Sequence, residues 1–141
     1  MYNFNSIGVT PEQLITAMKG ELGARIYYQK LAAMAPGPKE ADIIMHFFED
    51  ETKHYRNFRM LYINLTGHEP IIPALENPSF TTYQEGVDQA ILDELEAYDF
   101  YRDIYLSSNH PVVKNIFFEA LTDESEHAAH LNYLFTKSKC K

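Results

Sequence analysis

Apolar residues along this chain return at steps of three and four, and four stretches keep that rhythm long enough to be helices. The clearest lies between Pro38 and Leu65, where Ile44, Phe47, Glu51, His54, Phe58, Leu61 and Leu65 form one seam. A second runs through Val113, Phe117, Ala120, Glu124, His127, Leu131 and Leu134. The remaining two faces are broader. One holds Leu14, Met18, Glu21, Tyr28 and Leu31; the other holds Val87, Ile91, Glu94, Tyr101 and Ile104. Each therefore carries an acid, and two also carry an imidazole, where a bundle helix should bury hydrocarbon.

The residues between these seams punctuate them. Thr10-Pro11-Glu12-Gln13 has a threonine N-cap, a proline at the first helical position and a glutamine at the third, a capping box. The first helix should run to about Ala35 and stop at Pro36-Gly37-Pro38, because Pro38 disfavours helical geometry at Gly37. So short a connection makes the second helix an antiparallel neighbour. Gly67 closes that helix as a C-cap. Residues 67–81 then carry Pro70, Pro73 and Pro78 with no helical period. The second helix should be about 40 Å long, and an extended Pro-rich segment at about 3.1 Å per residue can run back along it. The third helix then starts where the second started, and the two are parallel. A second capping box is expected at Thr82-Tyr83-Gln84-Glu85, a break at Ser107-Ser108-Asn109-His110-Pro111, and fraying after Phe135. The prediction is an all-α single domain over residues 1–141, with helices at about 11–35, 38–65, 83–107 and 111–136. Two antiparallel hairpins are joined by a crossover at about 67–81.

The two hairpins are copies. Shifted by 73 positions, Glu21 falls on Glu94, Glu51 on Glu124, His54 on His127, Asp50 on Asp123, Tyr28 on Tyr101 and Pro38 on Pro111, without a gap. A single glutamate on a helix is usually solvated. Two at equivalent positions, each matched by a Glu-x-x-His pair on the following helix, call for a common charge.

Packed as a bundle, the halves would bring Glu21, Glu51, His54, Glu94, Glu124 and His127 together at mid-length. Without metal, four buried carboxylates repel one another and take up protons. Two divalent cations neutralise them, and the imidazoles favour iron, manganese or zinc over calcium. One Glu from each of two helices plus Glu-x-x-His from the other two is the ligand set of ferritin-like di-iron and di-manganese proteins. Glu51 and Glu124 would bridge, Glu21 and Glu94 would be terminal or chelating, and His54 and His127 would serve one ion each. Asp50 and Asp123 either accept the imidazole N–H from the opposite hairpin or are surface acids. Tyr28 and Tyr101 either bond a ligand or relay an electron, or are aromatic core with satisfied hydroxyls. His46, His68, His110 and His130 have no duplicated partner and are expected to be incidental.

Bulk properties remove other classes. A net charge of −8, from 20 acidic and 12 basic side chains, argues against a nucleic-acid surface. The lone cysteine, Cys140, excludes an intrachain disulfide and a Cys-x-x-Cys metal knuckle. Met1-Tyr2-Asn3-Phe4-Asn5-Ser6 has no signal-peptide pattern and no apolar run is long enough to span a bilayer, so a soluble cytoplasmic protein is expected, with no membrane partner.

At these residues the chain resembles the ferritin-like superfamily, and within it small rubrerythrin-like proteins. Gly20-Glu21-Leu22-Gly23-Ala24-Arg25 is similar to the rubrerythrin first-helix motif, and Glu51-Thr52-Lys53-His54 and Glu124-Ser125-Glu126-His127 match the paired ligand motifs. The likeness covers Thr10 to about Thr136. It implies two iron ions per chain, with manganese or zinc as alternatives. The chain departs from its relatives in lacking rubredoxin cysteines, in Ala97 where rubrerythrins commonly place a further glutamate, and in Thr52 where bacterioferritins place a haem-binding methionine. No haem is expected. The chain reaches Lys141 without the fifth helix of cage ferritins, so a small oligomer, a homodimer, is expected.

The resemblance implies a peroxidase or ferroxidase that uses hydrogen peroxide or dioxygen as oxidant and an external electron donor. The alternative is a non-enzymatic assembly or iron-binding protein whose metals hold the hairpins together. A di-iron monooxygenase would need a substrate pocket, which a chain of this size is not expected to enclose.

Overall fold

A computed structural model describes residues 7–140; Met1–Ser6, the segment without a signal-peptide pattern, lie outside the described residues, as does Lys141. Four helices follow in order: α1 (Pro11–Ala33), α2 (Pro38–Thr66), α3 (Tyr83–Ser107) and α4 (Pro111–Lys139). There is no strand among the described residues.

Their ends follow the local chemistry. Thr10 accepts from the Gln13 N–H at 3.1 Å while the Gln13 side chain accepts from the Thr10 N–H at 2.9 Å, a complete capping box. α1 stops at Ala33, two residues before the expected end, with Met34 as its C-cap. Pro38 and Pro111 open α2 and α4. Gly67 ends α2 in the left-handed conformation at φ 73°, where a side chain would be strained, and its N–H bonds Ile63 O at 2.8 Å.

Two ends differ from expectation. At α3 the Thr82 hydroxyl accepts from the Glu85 N–H, but the Glu85 carboxylate turns to the Thr81 N–H and hydroxyl, at 3.0 and 3.1 Å, instead of closing the box on Thr82. Thr81 offers two donors side by side, which one backbone N–H cannot match. At the other end, α4 continues to Lys139 instead of fraying after Phe135. Lys137 pairs with Glu40 of α2, and two lysines in the last turn favour the negative pole of the helix.

Cross-helix contacts set the topology. His54 meets Asp123 and His127 meets Asp50, so α2 and α4 are antiparallel. Tyr28 meets Glu94 and Tyr101 meets Glu21, so α1 and α3 are antiparallel as well. With each hairpin antiparallel, α2 and α3 run parallel. The chain between them travels the bundle's length: Ile72 packs against the apolar cluster that contains Leu61 and Leu65, and Phe80 is buried in the other cluster, with Leu31 and Val87. Lys30 holds this segment to α1 through Pro78 O and Phe80 O, at 3.0 and 2.6 Å. The two His–Asp pairs and the two Tyr–Glu pairs obey the 73-residue offset, so a pseudo-two-fold axis relates the hairpins.

The core is divided. One apolar cluster holds Leu14, Met18, Phe58, Leu61, Tyr101, Ile104 and Phe117; the other holds Tyr28, Leu31, Ile44, Phe47, Val87 and Leu131. On every helix the predicted polar residues fall between them. On α3, Ala90 is buried where Ile91, named in the sequence seam, is only half-buried.

Candidate metal centre

A polar layer separates the two apolar clusters. Glu21 comes from α1, Glu51 and His54 from α2, Glu94 from α3, and Glu124 and His127 from α4; none is more than 3% exposed. Ligand atoms of Glu21, Glu51, His54 and Glu124 lie within 4.8 Å of one another, and so do those of Glu51, Glu94, Glu124 and His127. Glu51 and Glu124 belong to both groups. The structure thus brings together all six residues that the sequence singled out, as two overlapping clusters.

Hydrogen bonding decides which imidazole nitrogen faces the clusters. His54 Nε2 lies 2.8 Å from Asp123 Oδ2, and His127 Nε2 lies 2.8 Å from Asp50 Oδ2. An ionised carboxylate only accepts, so the proton sits on Nε2. That leaves both Nδ1 lone pairs turned inward. His54 Nδ1 is 3.3 Å from Glu124 Oε1, 3.6 Å from Glu21 Oε1 and 3.7 Å from Glu51 Oε2. His127 Nδ1 is 3.0 Å from Glu51 Oε1, 3.5 Å from Glu94 Oε1 and 3.7 Å from Glu124 Oε1.

These atoms fit a metal and lack any other partner. Glu21 Oε2, Glu51 Oε1 and Oε2, Glu94 Oε2, Glu124 Oε1 and both Nδ1 atoms are buried without a hydrogen bond. Seven acceptors converging without a donor are unfavourable unless cations or protons lie between them. Two ligands about 2.1 Å from one ion, at right or tetrahedral angles, stand about 3.0–3.4 Å apart. The nearest Nδ1–oxygen separations fall in that range.

Without metal, protons take that role. Burial lowers the proton affinity of His54, but its bond to Asp123 and the carboxylates of Glu124 and Glu51 beside its Nδ1 outweigh this and push its pKa up to about 12. His127 is likewise pushed up to about 11: burial opposes, and Asp50, Glu51 and Glu94 prevail. Burial, followed by the charges of Glu51 and Glu94, holds the Glu124 carboxyl well above the usual range. Glu51 moves the other way, because His127 and His54 overcome its burial.

Two networks flank the layer. Between α2 and α4, Lys53 Nζ bonds Asp123 Oδ2 at 2.9 Å and reaches Asp50 Oδ1 at 3.6 Å and Glu119 Oε1 at 3.5 Å. One cation therefore stands between two like-charged aspartates. Burial raises the Asp123 pKa, but the bonds from His54 and Lys53 bring it down to about 2. His46 adds a contact to Asp50 at 3.7 Å. Between α1 and α3, the Tyr28 hydroxyl donates to Glu94 Oε1 and the Tyr101 hydroxyl to Glu21 Oε1, each crossing to the other hairpin. Burial, reinforced by neighbouring carboxylates, keeps both phenols protonated with pKa values well above the ordinary one.

The α1–α3 side also contains a cavity of about 430 Å³, with Glu21, Glu51, Glu94 and Glu124 at its floor. Ala17, Gly20, Gly23 and Ala24 of α1 and Ala90, Ala97 and Phe100 of α3 line its walls. The sequence reading expected no pocket here. Its signal is the run of small residues on facing helices, which a hydrophobicity seam does not register. Lys53 was also missed, because its position between two aspartates depends on interhelix register. His46, His68 and His130 are exposed and His110 occupies the N-cap position of α4; none joins either cluster.

The rubrerythrin family model matches residues 12–135. The chain belongs to the rubrerythrin family. The uncharacterized protein YhjR of Bacillus subtilis (strain 168) is 32% identical over 117 residues, spanning 83% of this chain and 80% of that protein. A hypothetical protein of Pyrococcus furiosus shares the fold with a TM-score of 0.80 at 23% identity, covering 89% of this chain and 87% of its own. A two-domain protein of Anabaena variabilis, containing DJ-1/ThiJ/PfpI-like and ferritin-like domains, matches with a TM-score of 0.74 at 16% identity, over 94% of this chain and 38% of that one. The fold is ferritin-like, and its buried carboxylate–imidazole cluster can hold a di-metal site. Among the described residues no helix is long and apolar enough to cross a membrane.

Proposed function

We propose that this rubrerythrin-family chain is a di-iron oxidoreductase that reduces hydrogen peroxide or dioxygen, with Glu21, Glu51, His54, Glu94, Glu124 and His127 as its ligands. The observation that carries this reading is the pair of ligand clusters sharing Glu51 and Glu124. Iron bound there supplies the two electrons that, with two protons, convert hydrogen peroxide into two waters.

The chain's own residues would do the rest. Asp123 and Asp50 keep the imidazole protons on Nε2, so both Nδ1 atoms present lone pairs to the layer. Tyr28 and Tyr101 fix the orientation of Glu94 and Glu21 and are the hydroxyl donors in contact with them. The apolar clusters above and below exclude bulk water, which strengthens every charge interaction within the layer.

Loading the chain with Fe(II) without oxygen and mixing it with peroxide, or separately with dioxygen, tests the proposal. About two irons per chain and rapid oxidation of the iron are expected, with turnover when an external donor is supplied. An assembly role predicts a different pattern: a large loss of thermal stability on chelation, and no reaction with either oxidant.

A further inference from the structure

The cavity above the carboxylates is much larger than hydrogen peroxide requires. A water-sized molecule occupies about 30 Å³, whereas the cavity holds about 430 Å³. It reaches the size at which sites begin to enclose organic ligands, about 300 Å³. Its walls are methyl groups, helix backbone and the rings of Phe100, Tyr27, Tyr28 and Tyr101, while Asp93 and Glu96 line it from α3.

Two glycines keep it wide. Gly20 and Gly23 lie within α1, where glycine is a weaker helix former than alanine. Neither has a positive φ, and a Cβ added at either would meet nothing within 4 Å. Neither backbone geometry nor packing requires glycine there; what both supply is room. Their counterparts under the 73-residue offset are Asp93 and Glu96, so the wall is bare on α1 and acidic on α3.

Chemistry narrows the occupant. Apolar walls favour a hydrocarbon body. The exposed carboxylates of Asp93 and Glu96 on α3 repel anions, which removes fatty acids and phosphates. A floor that delivers electrons to an O–O bond calls for a neutral head carrying one. We propose that the α1–α3 cavity receives the hydrocarbon part of an organic hydroperoxide, and that this substrate class, beyond hydrogen peroxide, is reduced at the layer below. This rests on the di-iron reading. The O–O bond of ROOH breaks, two electrons from the diferrous centre and two protons are consumed, and ROH and water leave. An external one-electron donor, dithionite in the assay, restores the centre.

Cumene hydroperoxide and its unreactive product, 2-phenyl-2-propanol, are suitable probes, with Gly20→Leu and Gly23→Leu as independent variants that fill the space. Calorimetry on zinc-loaded protein should show the alcohol binding, and each variant should weaken that binding at least ten-fold. With diferrous protein, the ratio of the cumene hydroperoxide rate constant to that for hydrogen peroxide should fall at least ten-fold in each variant. Circular dichroism and metal content establish that the variants fold and load; either variant alone suffices. An unchanged ratio, or no alcohol binding to the parent protein, overturns the proposal. So does a loss of dimer in the variants with the ratio intact, which would make the cavity a contact between two copies. Reaction with hydrogen peroxide but not cumene hydroperoxide defeats this inference alone. Reaction with neither defeats the di-iron reading as well.

Discussion

The two sides of the polar layer are built on opposite plans. Between α2 and α4 the aspartates touch the imidazoles directly, and Lys53 and Glu119 surround them with charge. Between α1 and α3 the helices stand apart, with small residues where side chains would otherwise interlock. The contrast teaches that one ligand set can be held from one side and reached from the other. The charged side fixes tautomer and ring orientation. The open side leaves room.

The largest effect should come from residues that belong to neither side but to both clusters. Glu51→Ala or Glu124→Ala should reduce bound metal from two ions per chain to none, measured by elemental analysis after loading. Retention of one ion in either variant would break the assignment of shared ligands.

Next come the aspartates. Asp123→Asn should weaken the ion beside His54, and Asp50→Asn the ion beside His127, by about 10–100-fold each. A stepwise titration should show one of two binding steps displaced. If both steps moved equally, the aspartates would not act through single imidazoles.

Metal removal should expose a pH dependence. In the metal-free protein His54 and His127 have pKa values of about 12 and 11, above the ordinary 6.5. The stability their protons contribute is complete below pH 6.5, declines above it, and is lost once pH has risen through 11–12. Chelated protein should therefore melt at progressively lower temperature between pH 6.5 and 9, while loaded protein, its Nδ1 protons displaced, should not follow.

Smaller still is Lys53→Met. Removing the cation between Asp50 and Asp123 should destabilise the metal-free chain by about 0.2–1 kcal/mol, as expected of a partly exposed pair. Denaturant unfolding at low and high salt would measure it, and the difference should shrink as salt rises. Thr10→Ala lies on neither side: it should cost about 1 kcal/mol through the lost cap and leave metal stoichiometry untouched.

Much of this architecture is legible in the sequence, because helix period and duplication are local patterns. The α2 and α4 seams name every residue of those helices that enters the layer, and capping at Thr10 and Gly67 places two of the ends to within a residue. What escapes depends on distances between elements. Nothing in the order of Gly20, Gly23 and Ala97 says that α1 and α3 stay apart, and nothing near Lys53 reveals the aspartate on another helix that it bonds. The last turn of α4 is similar: its residues look like a polar tail until Glu40 supplies a partner for Lys137.

The crossover has a consequence for assembly. Three of the six candidate ligands come from each hairpin, and the only covalent link between hairpins is the segment from Gly67 to Thr82. That link turns the meeting of two identical-looking halves into an intramolecular event, at the high effective concentration of a short tether. Cut there, each hairpin would retain half of a metal site, and loading would become dependent on protein concentration. The segment is thus a leash, and the bundle it closes is in essence a dimer recorded in one chain.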